Sequence, residues 1–166
     1  MGKIILPPKI NEQHEKIIFL AGPIQGAENW QQVAIEIITN QLSNIDIANP
    51  RKDFIDEKFI YEEQVDWETK YLNEAAKSGV ILFWLAKEHT HNCNRAYAQT
   101  TRFELAEWKA KHENNKNINI VLGIEDGFSN KRYITRRFNQ DCPEIKICDS
   151  LYDTCMEVIK IIKGGC

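Results

Sequence analysis

Val80-Ile81-Leu82-Phe83-Trp84-Leu85 is an unbroken run of six apolar residues. A strand with one wet face alternates apolar and polar side chains, so a run without alternation marks a strand covered on both faces, as at the centre of a parallel sheet. Gly79 supplies a stop just before it, and a polar loop rich in Asn, His and Thr follows.

The neighbouring segments fit that centre. Residues 64–76 read as a helix with Val65, Leu72 and Ala76 on one stripe and Ala75 beside it. Residues 16–21 read as a buried strand, broken by Gly22-Pro23-Ile24-Gln25-Gly26. A helix over 29–42, with Val33, Ile37, Ile38 and Leu42 inward, leads to a short strand at 45–48 that Asn49-Pro50 ends. Residues 1–15 are expected to be a loose entry segment. Residues 51–63, charged and aromatic without a period, are expected to be a loop of functional length.

Downstream, a helix is predicted from Thr101 to about His112, strands over 117–123 and 144–148, and a short helix over 132–138. A closing helix over 151–162 is predicted to turn Tyr152, Cys155, Val158, Ile159 and Ile162 inward. Five strands alternating with helices imply parallel pairing through right-handed crossovers. The expected fold is α/β, a single doubly wound five-stranded parallel sheet of flavodoxin-like order in a Rossmann-type three-layer sandwich. One domain is expected over 1–166, without internal repeats.

A net charge of -3 over 166 residues lacks the basic surface that nucleic-acid polymers select. No apolar run approaches the roughly 20 residues of a membrane span, so no membrane partner and a cytoplasmic location are expected. The five cysteines, Cys93, Cys142, Cys148, Cys155 and Cys166, are scattered without a Cys-x-x-Cys pair and read as free thiols. His89-x-His91-x-Cys93 is a weak metal signal in a polar loop without a distant partner cluster; no metal site is assigned.

Three loops at strand C-termini are expected to meet: 22–26, 51–66 and 87–102. In open α/β sheets that edge binds ligands. The acids there are Asp66, Glu68 and Glu104. Thr101-x-x-Glu104 also reads as a capping box that satisfies first-turn N–H groups, and Asp66 and Glu68 as ordinary acids at a helix N-terminus. As chemistry, a carboxylate pair breaks a glycosidic bond when one attacks the anomeric carbon and the other assists the leaving group. Asp66 and Glu68, two apart on a helix, face different ways, so one of them at most is expected to face the pocket. Gly22-Pro23-Ile24-Gln25-Gly26 lacks both phosphate-loop spacings; it reads either as a plain turn or as a close backbone approach to a small hydroxylated ligand. Phe59, Tyr61, Trp67 and Trp84 offer flat surfaces for a planar base, with Trp84 better placed in the core.

Ile18-Phe19-Leu20-Ala21-Gly22-Pro23-Ile24-Gln25-Gly26, Gln64-Val65-Asp66-Trp67-Glu68, Ile81-Leu82-Phe83-Trp84 and Thr101-Arg102-Phe103-Glu104-Leu105 occur in order. Together, over about 16–122, they resemble the nucleoside 2-deoxyribosyltransferase family. The resemblance implies a flavodoxin-like fold, a homodimer or higher homo-oligomer with sites near subunit interfaces, and no cofactor. It implies that Glu104 attacks C1′ of a 2-deoxyribonucleoside and holds a deoxyribosyl ester until another base or water takes it, with Glu68 or Asp66 holding the base and passing it a proton. By the same resemblance Gly22, Gln25 and Gly26 line the deoxyribose pocket, and Phe19, Pro23, Trp67, Thr101 and Arg102 complete the substrate-binding set.

Three positions depart from the family. Phe19 stands where many relatives carry Tyr, and Ala98-Gln99-Thr100-Thr101 replaces an Asp-x-Gly or Ser-x-Gly approach to the nucleophile. Gln25 stands where relatives that hydrolyse 5′-monophosphates tend to place Arg, leaving Arg102 or Arg95 for any phosphate. Three functions follow as expectations: transfer of deoxyribose between nucleobases, N-glycoside hydrolysis on the same scaffold, or nucleotide binding without turnover. An exposed Trp108 is expected to suit a subunit interface.

Overall fold

The computed structural model describes residues 2–10, 14–52 and 59–164. In chain order the strands are β1 (Ile4–Ile5), β2 (Ile17–Ala21), β3 (Asp46–Ala48), β4 (Val80–Leu85), β5 (Ile120–Ile124) and β6 (Ile147–Cys148). The helices are α1 (Trp30–Thr39), α2 (Tyr61–Ser78), α3 (Gln99–Asn114), α4 (Lys131–Asp141) and α5 (Leu151–Ile162).

All pairings are parallel, in the order β1-β3-β2-β4-β5-β6. The sheet has six strands rather than five, because Ile4–Ile5 adds an edge strand to β3. Described residues of the entry segment are also held from its middle and its end. Trp67 Nε1 donates to the Lys9 carbonyl at 2.8 Å, and His14 Nδ1 lies 2.7 Å from Asp46 Oδ2. Without the added edge, the other five strands follow the flavodoxin-like order.

β4 is buried along its whole length, and so is β2. Successive residues of a strand face opposite sides, and the sheet sorts them accordingly. Phe19, Ile81, Phe83 and Leu122 pack with Trp67, Tyr71, Leu105 and Trp108 of α2 and α3. Ile18, Leu20, Leu82 and Trp84 pack with Trp30, Ala34 and Ile38 of α1 and Val158 of α5. Full burial of a side chain such as Phe19 or Phe83 contributes roughly 1.5–3 kcal/mol.

Several helix faces differ from the expected ones. α1 buries Trp30, Gln31, Ala34 and Ile38, while Val33 is 47% exposed. α2 starts at Tyr61, inside the expected loop, and buries Trp67, Tyr71, Leu72 and Ala75, leaving Val65 exposed. Trp30 in α1, and Trp67 and Tyr71 one turn apart in α2, fill more volume than the aliphatic stripes do, so they set the rotation. Tyr152 of α5 is likewise exposed, and Thr154 takes an inward place. Among the described residues, no helix is long and apolar enough to cross a membrane.

Candidate functional site

Described residues of the three loops at the C-terminal edge are tied together by main-chain bonds of Gly26 and by the Arg51 side chain. Gly26 has φ +82°, a conformation that suits glycine, and its carbonyl accepts from the N–H of His89 (2.7 Å) and Thr90 (3.0 Å). A Cβ at Gly22 would fall 2.3 Å from the Trp84 carbonyl, so only glycine fits between β2 and the end of β4. Trp30 Nε1 donates to the Pro23 carbonyl at 2.9 Å. Arg51 Nη2 donates to the carbonyls of Ile24 (3.0 Å) and Glu28 (2.9 Å), while its Nε reaches Gln31 Oε1 (2.8 Å).

The capping box does not form. α3 begins at Gln99, two residues ahead of Thr101, and its N-cap is Ala98 in the left-handed region (φ 58°) without a side-chain cap. Thr101 is 4% exposed and belongs to the buried stripe of α3 with Leu105, Trp108, Lys109 and His112. Glu104 thus sits in the second turn, at the border of that stripe. Among the described residues it makes neither a hydrogen bond nor an ion pair.

Glu104 lines a cleft of about 520 Å³ between α2 and α3, within the size range of small-molecule sites. α2 contributes Tyr61, Val65, Glu68, Thr69, Leu72 and Asn73; α3 contributes Gln99, Thr100, Phe103, Glu107, Trp108 and Lys111. Burial, then the Glu68 charge, then the Glu107 charge push the Glu104 carboxyl up to about 8. Burial also raises Glu68, opposed by Gln64, whose Nε2 donates to Glu68 Oε1 at 2.7 Å. The two carboxyls thus line one cleft, and the Glu68 charge adds to burial in raising Glu104.

Of the sequence-stated candidates, the cleft brings together Glu68 and Glu104. Asp66 is exposed and outside the cleft lining. Trp67 is 2% exposed and packs on Tyr71 with ring centroids 4.6 Å apart, so it is core rather than an open platform. Phe19 and Pro23 are buried, and Gln25 is exposed on its loop. Neither these nor Gly22, Gly26 or Thr101 line the cleft. Arg102 turns to the loop after β5: its Nη2 donates to Ser129 O (3.0 Å) and Oγ (2.6 Å), and its guanidinium lies 4.4 Å from the Phe128 ring centre. A smaller cavity of about 190 Å³, with Trp30, Trp84, Lys87, His89 and Glu125, opens at the sheet edge on the α1 side.

Trp108, expected to be exposed, is 2% exposed; it forms part of the cleft wall, and its Nε1 lacks a hydrogen-bond partner among the described residues. Trp108, Lys111 and Thr100 were readable from Glu104 by helical spacing of four, seven and minus four, as were Leu72 and Val65 from Glu68. His89 and His91 are exposed and lie 3.5 and 2.9 Å from Glu28 and Glu88.

The family model described as "Nucleoside 2-deoxyribosyltransferase like" matches residues 15–122. No curated protein matches the chain. The crystal structure of a conserved protein from Enterococcus faecalis V583 matches with a TM-score of 0.51 at 15% identity, over 89% of this chain and 98% of that one. At that identity the likeness is one of fold.

Proposed function

We propose, from the premise that this chain belongs to the nucleoside 2-deoxyribosyltransferase-like family, that it transfers 2-deoxyribose between nucleobases through an ester on Glu104. The observation that carries the reading is the pairing of Glu68 and Glu104, from two helices, in one cleft where each carboxyl is raised. Glu104, pushed up to about 8, carries the proton near neutral pH, and its passage to Glu68 provides the carboxylate and the acid that the reaction needs.

The reaction uses both. The Glu104 carboxylate attacks C1′, the C1′–N bond breaks, and its electron pair goes to the base nitrogen, which takes the proton from Glu68. An acceptor base then attacks C1′ of the ester, the Glu104 carboxylate leaves, and Glu68 recovers a proton from the acceptor. Phe103 and Tyr61, 74% and 65% exposed at the cleft, supply flat surfaces for a base. No cofactor enters these steps. The reading includes a homo-oligomer, supported by the same exposed apolar rim.

The test is chromatography of a purine and a pyrimidine 2′-deoxynucleoside incubated with the protein, with and without a second free base. A new nucleoside that requires the acceptor is the expected result. Free base and deoxyribose in the absence of an acceptor would make the protein an N-glycoside hydrolase, and binding without turnover would make it a nucleotide-binding module.

A further inference from the structure

We propose that His112, Cys142 and Glu144 bind one borderline-soft divalent transition-metal ion, of the Zn²⁺ type, at the C-terminal end of α3. The three donor atoms lie within 4.8 Å of one another. They come from the last turn of α3, the C-cap of α4 and the turn before β6. The proposal is independent of the reaction assigned to the cleft.

The imidazole is prepared for a metal. His112 is 4% exposed, and its Nδ1 lies 2.8 Å from the Ile118 carbonyl. A carbonyl only accepts, so Nδ1 carries the hydrogen, and Nε2 is the nitrogen left to meet a metal. Such an outer hydrogen bond fixes tautomer and ring orientation in metal-bound histidines. Nε2 points at Glu144 Oε1, 2.7 Å away. Two acceptors meet at that distance only with a proton or another cation between them. Cys142, 0% exposed, brings a thiol to the same point.

Tetrahedral zinc, with bonds of about 2.0–2.3 Å, spreads its ligand atoms roughly 3.3–3.8 Å apart. The Glu144 side chain, 44% exposed, has room to draw back from Nε2, and water takes the fourth position. Thiolate and imidazole select zinc-like ions over Ca²⁺ and Mg²⁺, which take oxygen ligands. Lys116 Nζ lies 2.5 Å from the same Glu144 oxygen; its side chain is 54% exposed and competes with the ion for that oxygen. Lys109, held by Asp141 and Glu113, is the other cation near Cys142. Binding converts the Cys142 thiol to thiolate and displaces the proton between His112 Nε2 and Glu144, so two protons pass to solvent. The ion would fasten α3, the helix that carries Glu104, to the corner between α4 and β6.

The test is titration of the reduced protein with Co²⁺, read as the near-ultraviolet thiolate-to-cobalt charge-transfer band, followed by displacement with Zn²⁺. We expect a one-to-one band that persists in Cys93→Ser, disappears in Cys142→Ser, and needs at least tenfold more Co²⁺ in Glu144→Gln. Glu144→Gln changes an exposed side chain, so it serves even if Cys142→Ser fails to fold. Lys116→Ala is expected to tighten binding. Absence of the band in the unmodified protein, its survival in Cys142→Ser, or its loss in Cys93→Ser would overturn the proposal.

Discussion

At its C-terminal end α3 carries Lys109 and His112, both buried and both partnered. Lys109 Nζ meets Asp141 at 2.6 Å and Glu113 at 3.2 Å, and His112 uses its two nitrogens on Ile118 and Glu144. Two turns nearer the N-terminus, Glu104 is half-buried, faces Glu68 and Glu107, and has neither a hydrogen bond nor an ion pair among the described residues. A buried charge is costly unless paired, so the partnered end fits a structural role. An unpaired acid kept beside like charges in a cleft works against the fold and marks a candidate site. One helix thus serves the fold at one end and the proposed chemistry at the other.

The sharpest way to break this comparison is Glu104→Gln. Turnover is expected to fall by at least about a thousandfold, while stability moves the other way. The folded carboxyl sits at about 8, above its ordinary 4.5, so the folded state binds the proton more tightly. That contribution is complete below the ordinary value and is lost as pH rises through about 8. Denaturant titrations should therefore show the unmodified protein losing stability relative to Glu104→Gln across that window. Parallel stability curves would mean that Glu104 is as well accommodated as His112.

Glu68→Gln comes next, with an expected loss in turnover of roughly 10²–10⁴-fold, against a few-fold at most for Asp66→Asn. Removal of the Glu68 charge should also bring the Glu104 titration below 8, read by carboxyl NMR. Equal losses at positions 66 and 68 would show that the cleft does not distinguish the two acids. The smallest effect on chemistry is expected at the other end of the helix. Lys109→Met should lower Tm by a few degrees through loss of its pairing with Asp141, and leave the pH dependence of turnover unchanged. A shifted pH profile would show that the two ends are not separate.

The sheet was legible because its centre needs no partner to be interpreted: six apolar residues at 80–85 state that both faces are covered. The edge strand Ile4–Ile5 was not, since two residues carry no period and pair only once β3 is present. Helix rotation was misread where Trp30, Trp67 and Tyr71 outweighed aliphatic stripes, because volume packed against the sheet is a tertiary quantity. Glu104 was legible as a residue, but its place in the helix was not. The Thr101 to Glu104 spacing fits a capping box, and the left-handed Ala98 that starts the helix earlier gives no signal in the sequence. The pairing of Glu68 with Glu104 needed the packing of α2 beside α3.

The most direct measurement is peptide-mapping mass spectrometry of the protein quenched during turnover of a 2′-deoxynucleoside. A deoxyribosyl ester on the peptide that contains Glu104, absent from Glu104→Gln and discharged by an acceptor base, is the predicted result. An adduct on the peptide that contains Glu68, or turnover without any adduct on Glu104, would contradict the account.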